Sequence, residues 1–341
     1  MRARNRVTIA IHRHILANPS YIRGQHNEYN HRCNRPYRAL TISNTGECYL
    51  CICESWLPVS VGNIESFDTL DQVWNNPIAE QLQQDISAKN YTQCAVEHCG
   101  VMYRDMIEDS YYINVALDNS CNLACPSCRR EMINHTQGPE YAARQRRVDH
   151  FLQLLQRFDQ PLRMILIGNG DPLASAVMRP IVLNWQPKSN QSVILFTNGL
   201  LMKKLLPDSA ILPHITQFQI SVDAGTKHTY ETVRRPGRYE VLRENLDWLA
   251  QNLPRSATVI LKFTISAMNA KDLVNFSEMC KTYGFRGEVT KLDDWNTFDD
   301  FSSQEVILNT NHVLHATAIE NLKIVSQHQH IHLSPLFKKY I

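Results

Sequence analysis

The chain has 341 residues, of which 43% are apolar and 20% charged, a balance that excludes a wholly disordered or collagen-like protein. Its length suggests about two domains. The 35 basic and 33 acidic residues give a formal net charge of +2, so no global field favours nucleic acid or a membrane surface. No run approaches the roughly 18 apolar residues of a spanning helix, and no cleavage site follows the basic N-terminus. We therefore expect a cytoplasmic protein.

The cysteines are concentrated near the start of the chain. Residues 1–32 are rich in arginine and are expected to form a basic arm, and nine of the ten cysteines lie within the first 128 residues. Disulfides are rare in a reducing compartment, so this concentration indicates metal ligation or redox chemistry. We expect a cysteine-rich module over 33–105, a larger body over 106–300 and a C-terminal extension over 301–341.

From residue 111 onward, short β-rich runs alternate with longer segments of helical period, which predicts βα units and a parallel sheet. The predicted strands are 111–117, 163–167, 192–197, 217–222, 258–265 and 287–291. The predicted helices are 139–158, 174–183, 199–205, 226–234, 239–252 and 270–283. Six such units imply an open barrel or a doubly wound sheet, in which the loops after the strands hold the chemistry.

The first of these loops carries three cysteines, Cys121-Asn-Leu-Ala-Cys125-Pro-Ser-Cys128. Three thiolates on one loop can surround a metal centre and leave a position open. Structural iron-sulfur clusters take four cysteines, whereas a catalytic metal keeps an open coordination position. The spacing therefore indicates a catalytic cluster, and the alternative is a zinc knuckle that takes a distant fourth ligand.

The same loop resembles the signature of the radical S-adenosylmethionine (radical SAM) superfamily. Further similarities follow in order, at residues 168–172 after the second strand, 196–199 after the third, 221–224 after the fourth and 291–295 after the sixth. The resemblance implies an α/β fold with a partial (β/α)6 TIM-like barrel over 106–300. It also implies that Cys121, Cys125 and Cys128 hold a 4Fe-4S cluster. The S-adenosylmethionine contacts that it implies are Gly168, Asn169, Gly170, Asp171, Asn198, Ser221 and Asp223.

Two positions depart from the family pattern. Ser127 stands where the family usually has an aromatic residue near the adenine, and Asp171 replaces the commoner Glu. We expect adenine packing from another position, for which residues 263–266 on the fifth strand are a candidate. Phe263, an apolar residue on a strand, is more often a core residue than a cofactor contact.

The N-terminal module contains four cysteines in two pairs, which can complete one cluster or one zinc site. They are Cys33, Cys51, Cys94 and Cys99. The intervening residues 61–64 and 70–75 resemble the SPASM/twitch segment, which holds an auxiliary 4Fe-4S cluster and normally follows the radical SAM domain. Here the segment precedes that domain. Cys48 and Cys53 exceed the four-ligand count; each is a substitute ligand, a hydrogen-atom donor or, more simply, a small buried residue.

The resemblance implies an enzyme that cleaves S-adenosylmethionine reductively and abstracts a hydrogen atom from its substrate with a 5′-deoxyadenosyl radical. We expect an oxidoreductase that dehydrogenates or epimerises a small molecule such as a sugar or an aminocyclitol, because only 32 residues precede Cys33 and a leader-binding winged helix does not fit there. One alternative is peptide modification with separate leader recognition. Another is a non-catalytic zinc or iron-sulfur module that binds RNA through the arginine-rich arm.

The expected partners follow from the same resemblance. A radical SAM enzyme requires an external one-electron reductant such as flavodoxin or ferredoxin. A membrane partner is not expected, and nucleic acid is not favoured by the near-neutral net charge.

Overall fold

The computed structural model describes residues 31–95, 99, 105–167 and 169–341. Most of the predicted basic arm, residues 1–30, lies outside the described residues, as does Gly168. The chain forms two compact units. The first consists of Met1–Asp118, His135–Asn169 and Pro187–Ser192, and the second of Asn119–Asn134, Gly170–Gln186 and Val193–Ile341. The segment boundaries predicted from the sequence stay a prediction, because each unit consists of three separate stretches of the chain.

The first unit begins with a small antiparallel sheet that the sequence analysis did not predict. A short helix α1 (Arg35–Arg38) leads into strands β1 (Ala39–Ile42), β2 (Glu47–Tyr49) and β3 (Ser60–Asn63). β2 pairs antiparallel with both β1 and β3. β1 also pairs in parallel with a later strand, β4 (Tyr111–Val115). The cysteine-rich segment is therefore hydrogen-bonded to the first strand of the βα body.

Two helices follow the small sheet, α2 (Asp71–Trp74) and α3 (Pro77–Ser87). The side chain of Asn76 caps α3, accepting hydrogen bonds from the backbone N–H groups of Ile78 and Ala79, and Pro77 occupies the first helical position. Such a cap satisfies donors that have no partner inside the helix. Leu82 and Ile86, four residues apart, are buried, so α3 presents one apolar face to the core.

The remainder of the first unit is the first βα repeat. Helix α4 (Gly138–Gln156) follows β4 and the cysteine loop, and β5 (Leu162–Leu166) pairs in parallel with β4. Val148, Phe151 and Leu155 of α4 are buried, as the three- and four-residue spacing predicts. Within this unit the strand order is β5-β4-β1-β2-β3.

The second unit is a parallel sheet with helices between its strands. Its strands are β6 (Gln191–Thr197), β7 (Ile215–Ser221), β8 (Thr258–Ile265), β9 (Arg286–Lys291) and β10 (Ile331–Leu333). They lie in the order β6 to β10, and every neighbouring pair is parallel. Its helices are α5 (Arg179–Asn184), α6 (Met202–Leu205), α7 (Lys227–Val233), α8 (Tyr239–Asn252), α9 (Leu273–Tyr283) and α10 (His315–Ser326). Among the described residues, no helix is long and apolar enough to cross a bilayer.

All six predicted strands are present, with boundaries that move by at most two residues. Three predicted helices begin at least three residues later than expected. The helix expected over 270–283 begins at Leu273, after a 3-10 turn over Ala270–Asp272. The helix expected over 174–183 begins only at Arg179, because the carboxylate of Asp171 and the hydroxyl of Ser175 accept backbone N–H groups in the preceding turns. The helix expected over 199–205 begins at Met202, and Gly199 has a φ of +83°, which a left-handed turn requires and a helix excludes.

The end of the chain adds an element that was not predicted. β10 pairs in parallel with β9, and His328 and His330, just ahead of it, both hydrogen-bond the hydroxyl of Ser277 on α9, at 2.7 and 3.1 Å. Their rings are stacked with centroids 5.6 Å apart. These hydrogen bonds connect the segment just ahead of β10 to α9.

Candidate active site and cluster sites

Backbone hydrogen bonds hold the first half of the three-cysteine loop in place. The backbone N–H of Cys121 donates to the carbonyl of Ile133 at 2.8 Å, and that of Ala124 donates to the carbonyl of Arg235 at 2.8 Å. In the second half, the backbone N–H of Cys128 donates to the carbonyl of Cys125 at 2.9 Å. The Cys125 thiol is buried, Cys121 is half-buried and Cys128 is exposed. The middle thiol is therefore the most buried of the three, and Cys128 is the one open to solvent.

Asp171 lies beneath this loop, and its carboxylate is fully engaged by protein donors. One oxygen accepts the backbone N–H groups of Leu173 and Ala174, at 2.9 and 3.2 Å. The other accepts the hydroxyl of Thr197 at 2.8 Å and the backbone N–H of Asn198 at 2.6 Å. Its own N–H donates to the carbonyl of Ser120. Asp171 therefore joins the loops that precede the cysteines, follow β5 and follow β6.

Two further predicted contacts lie in the same place. The side-chain amide of Asn198 donates to the side-chain oxygen of Asn122 at 2.8 Å and lies 3.8 Å from the sulfur of Cys121. Gly170 approaches the carbonyl of Ser120 so closely that a Cβ would lie 2.1 Å from that oxygen. A side chain at position 170 is therefore excluded.

The remaining predicted contacts are distributed differently. Ser221 is the last residue of β7 and is half-buried, whereas Asn169 is exposed. Asp223 is buried with a φ of +58°. Its carboxylate accepts the backbone N–H of Thr264 at 2.7 Å and pairs with the guanidinium of Arg234 at 2.5 Å. Like Asp171, Asp223 uses its side chain on protein partners.

Arg234 is a site residue that the sequence analysis did not single out. Its Nη1 lies 3.7 Å from the sulfur of Cys125, and its Nη2 binds Asp223. Burial lowers the pKa of Arg234, whereas the negative charges of Asp223 and of an ionised Cys125 raise it by a larger amount. The net pKa is therefore above the usual value. Arg234 therefore carries a permanent positive charge beside Cys125.

A second arginine interacts with all three thiols of the loop. Burial lowers the pKa of Arg129, and the thiolates of Cys128, Cys121 and Cys125 raise it to a net value above the usual one. Its guanidinium also donates to the carbonyl of Asn119 at 2.8 Å. Arg129 follows the third cysteine directly in sequence, which is the only signal that could have identified it.

Burial also changes the thiols themselves. It raises the pKa of Cys121 to about 11 and raises that of Cys125 against the opposing charge of Arg234. These thiols are therefore protonated at neutral pH until a metal centre displaces their protons.

The buried atoms around Cys125 fit an iron-sulfur cluster. Among the described residues, Arg234 Nε and the hydroxyl of Tyr230 are buried and have no hydrogen-bond partner. Both residues interact electrostatically with Cys125. Leaving a buried donor unpaired costs about 1–3 kcal/mol, and cluster sulfur atoms are acceptors for such donors. Three thiols, two unpaired donors and two arginines match the chemistry of a negatively charged cluster.

A cavity of about 270 Å³ adjoins the cysteine loop. Three arginines line it, Arg129, Arg130 and Arg235. The other lining residues are Pro126, Thr297, Phe298 and Asp299. Arg130 pairs with Asp299 at 2.7 Å, and both side chains are exposed. The surface beside Cys128 is therefore rich in guanidinium groups.

In the first unit, the four cysteines predicted for the auxiliary site lie close enough to influence one another. Cys33, Cys51 and Cys99 each raise the pKa of Cys94, after burial as the main cause. Burial raises the pKa of Cys33 to about 11 and that of Cys51 to about 12, and Cys99 adds to both. The four thiols thus lie within electrostatic range of one another, without converging as ligands of a single metal ion among the described side chains.

The other cysteines are arranged differently. The charge that raises the pKa of Cys48 besides its burial is that of Glu47, and Cys53 is influenced by the neighbouring residues Glu54, Ser55 and Trp56. Cys280 is fully buried on α9, as expected for a small apolar residue. Phe263 is also fully buried, with its ring centroid 4.9 Å from that of Phe276, which makes it a core residue. Within the described ranges, no three Cys, His, Asp or Glu side chains converge as ligands of a single metal ion.

Comparison with known families assigns the chain. A profile described as the radical SAM superfamily matches residues 117–279, which include the three-cysteine loop. A second profile, the SPASM iron-sulfur cluster-binding domain, matches residues 33–100. The chain contains a radical SAM domain preceded by a SPASM domain. The family confirms the predicted α/β fold, and the order of the two matches confirms that the SPASM segment precedes the radical SAM domain.

Solved structures resemble the chain at low identity. TYW1 with a lysine-pyruvate adduct is 14% identical, with a TM-score of 0.38 over 61% of this chain and 70% of that chain. SuiB of Streptococcus suis bound to S-adenosylmethionine is 12% identical, with a TM-score of 0.44 over 87% and 72%. For SuiB bound to its precursor peptide SuiA the values are 12%, 0.44, 77% and 64%, so the chain spans less than two thirds of that protein. No curated protein matches the chain.

The radical SAM assignment fixes the cofactors. A radical SAM domain takes a 4Fe-4S cluster and S-adenosylmethionine, and a SPASM domain takes auxiliary iron-sulfur clusters. Radical SAM enzymes perform many types of reaction and receive their electron from an external reductant.

Proposed function

We propose that this radical SAM protein is an oxidoreductase in which Cys121, Cys125 and Cys128 hold the catalytic cluster. The observation that carries the proposal is a pair of buried donors, Arg234 Nε and the Tyr230 hydroxyl, that have no partner among the described residues and belong to side chains interacting electrostatically with Cys125. Both donors find acceptors when a cluster is bound to the loop. The auxiliary cluster is assigned to the four neighbouring thiols of the first unit, which are Cys33, Cys51, Cys94 and Cys99.

When bound, the cluster and S-adenosylmethionine supply reductive cleavage of the sulfonium and a 5′-deoxyadenosyl radical that removes a hydrogen atom from substrate. The chain supplies position and charge. Asn198 holds the cysteine loop through Asn122, and Arg234 balances the negative charge at Cys125. In this proposal, Gly168, Asn169, Gly170, Asn198 and Ser221 contact S-adenosylmethionine.

Asp171 and Asp223 contribute to S-adenosylmethionine binding as positioning residues. Their carboxylate oxygens already accept donors from the chain, four for Asp171 and two for Asp223. Asp171 aligns the loops after β5 and β6, and Asp223 aligns Arg234. We therefore assign the direct polar contacts to the backbone and to the neighbouring side chains.

The substrate class favoured by the sequence is a small molecule such as a sugar or an aminocyclitol. In a dehydrogenation, the substrate radical would have to give up one electron and one proton as a carbonyl or double bond forms, and an auxiliary cluster held by Cys33, Cys51, Cys94 and Cys99 would supply the one-electron acceptor. In an epimerisation, the radical instead regains a hydrogen atom from a donor. Four clustered thiols in the SPASM segment support the first route, because they provide a site for the electron acceptor.

The test combines reconstituted protein, S-adenosylmethionine, dithionite and a panel of sugars, aminocyclitols and short peptides under anaerobic conditions. We expect a product about 2 Da lighter than one small-molecule substrate, since two hydrogen atoms are lost. A product of unchanged mass indicates epimerisation, and turnover of peptides alone contradicts the proposed substrate class.

Two variants separate the clusters in the same assay. Cys125→Ala is expected to abolish both 5′-deoxyadenosine and product, whereas Cys94→Ala is expected to abolish product and retain part of the S-adenosylmethionine cleavage. Cys280→Ala is the matched control, because Cys280 is buried on α9 away from the proposed ligands in sequence. Equal loss of cleavage in Cys125→Ala and Cys94→Ala contradicts the division between the two clusters.

A further inference from the structure

Helix α1 places a buried arginine among the thiols of the first unit. Arg35 lies two residues after Cys33 and is 6% exposed. Its Nε donates to a carboxylate oxygen of Glu108 at 3.1 Å, and the Glu108 side chain is 20% exposed. The guanidinium interacts electrostatically with Cys51 and Cys33. Arg35 thus links one carboxylate to two proposed ligands of the auxiliary cluster.

One nitrogen of this guanidinium has no partner among the described residues. Nη1 of Arg35 is buried and makes no hydrogen bond to the described part of the chain. An unpaired buried donor costs about 1–3 kcal/mol, and more when it is charged. This donor belongs to a side chain that interacts with two proposed cluster ligands. An iron-sulfur cluster bound there would bring several sulfur acceptors.

Arginine has the geometry for two tasks at once. Its planar guanidinium can bind Glu108 through Nε while another of its nitrogens donates to a second acceptor. The single ammonium of lysine lacks this fixed arrangement of separate donors. Hydrogen bonds to cluster sulfurs and the net charge around a cluster set its reduction potential. A positive charge and a donated hydrogen bond both favour the reduced, more negative cluster.

We propose that Arg35 donates a hydrogen bond from Nη1 to a sulfur of the auxiliary cluster and raises its reduction potential, so that the cluster accepts an electron more readily. Glu108 acts in the opposite direction through its negative charge, which also reaches Cys33. This inference rests on the proposed assignment of the auxiliary cluster to the four cysteines of the first unit. Arg35 is a positioning and tuning residue that acts through the cluster.

The test measures the auxiliary cluster alone. The parent is the full chain with Cys121, Cys125 and Cys128 changed to Ala, reconstituted with iron and sulfide, and the readout is a redox titration followed by electron paramagnetic resonance. Into this parent we introduce Arg35→Met, Glu108→Gln and the combination of both. The matched control is Arg38→Met at the other end of α1, where Arg38 lies 4.8 Å from the ring centroid of Tyr111.

Arg35→Met is expected to lower the ratio of reduced to oxidised cluster at a given potential about tenfold, which for a one-electron couple is about 59 mV. Glu108→Gln is expected to raise that ratio, and Arg38→Met to leave it unchanged. The double variant is expected to stay below Glu108→Gln alone, because the hydrogen bond is lost whether or not Glu108 is charged.

Equal potentials for the double variant and Glu108→Gln overturn the proposal, because Arg35 then serves only to neutralise Glu108. If the Arg35→Met protein binds no iron, the reduction potentials of the Glu108→Gln and Arg35→Lys proteins are compared with that of the parent instead. An unchanged potential in both variants overturns the proposal. A parent that binds no iron contradicts the assignment of the four cysteines, which is a failure of the proposed function and is seen before any Arg35 variant is compared.

Discussion

Asp171 shows how a residue near the cofactor can act through the chain. Its four accepted hydrogen bonds come from Leu173, Ala174, Thr197 and Asn198. We expect Asp171→Ala to lower the free energy of unfolding by about 3 kcal/mol, because several buried donors lose their acceptor. Urea denaturation measures the change, with Asp208→Ala, an exposed site, as the control. Equal and small changes in both variants contradict the anchoring function of Asp171.

Tyr230 gives a prediction of opposite sign for the apo and loaded protein. Its hydroxyl is buried without a partner in the part of the chain that the structure describes, so Tyr230→Phe is expected to stabilise the apo protein by up to about 1 kcal/mol. In the loaded protein the same change removes a donor to the cluster, so iron is expected to pass to a chelator faster. Denaturation of the apo protein and the rate of iron release measure the two effects. A destabilised apo protein with unchanged iron release contradicts the placement of the hydroxyl toward a cluster.

The sequence predicts some residues of the site and not others for a physical reason. Cys121, Cys125 and Cys128 stand at a local spacing, and the resemblance to the radical SAM signature implies Asp171 and Asn198, so all five could be predicted from the sequence. Arg234 could not, because it meets Cys125 across 109 residues of chain. Arg35 and Glu108, 73 residues apart, are of the same kind: their function depends on tertiary contacts.

Among the elements, α3 shows how a short local motif stabilises the cysteine-rich segment. Asn76 accepts the backbone N–H groups of Ile78 and Ala79, both at 3.1 Å. Asn76→Ala is expected to cost about 1 kcal/mol in the free energy of unfolding, because these two donors lose their cap. Thermal or urea unfolding measures the cost. Asn184→Ala, at an exposed position near the end of α5, is the control, and a loss no larger than that of the control contradicts the capping function.

Element prediction succeeded where the pattern is long and local. Helix α8 and strand β8 have the predicted boundaries, 239–252 and 258–265. The strands β1 to β3 were missed because they are three or four residues long and too short to show a period. The parallel pairing of β1 with β4 joins residues about seventy positions apart, and no sequence pattern specifies it.

At the scale of the whole molecule, the chain needs an electron from an external donor. We propose that an acidic flavodoxin or ferredoxin docks beside Cys128, where three arginines line the cavity next to the cysteine loop. Arg130→Glu is expected to slow reduction by flavodoxin several-fold at low salt and to leave reduction by dithionite unchanged, since charge complementarity acts mainly on the association rate. Arg146→Glu, the same charge change at an exposed position of α4, is the control. Equal slowing in both variants contradicts docking at this surface.

Metal content distinguishes this account from a zinc-stabilised binding module. Two 4Fe-4S clusters correspond to about eight irons and eight sulfides per chain in anaerobically reconstituted protein. Cys125→Ala and Cys94→Ala are each expected to lose about half of that iron. Protein that contains zinc without iron contradicts the cluster assignment and favours the RNA-binding alternative, whose binding is expected to weaken steeply as salt rises.

The central claim is that a cluster on Cys121, Cys125 and Cys128 cleaves S-adenosylmethionine reductively. The most direct measurement is the amount of 5′-deoxyadenosine released when reconstituted protein is mixed with dithionite and S-adenosylmethionine in the absence of oxygen. We predict 5′-deoxyadenosine and methionine in equal amounts from the wild-type chain and none from Cys125→Ala. Iron-loaded wild-type protein that releases no 5′-deoxyadenosine, or a Cys125→Ala variant that releases as much as wild type, contradicts the claim.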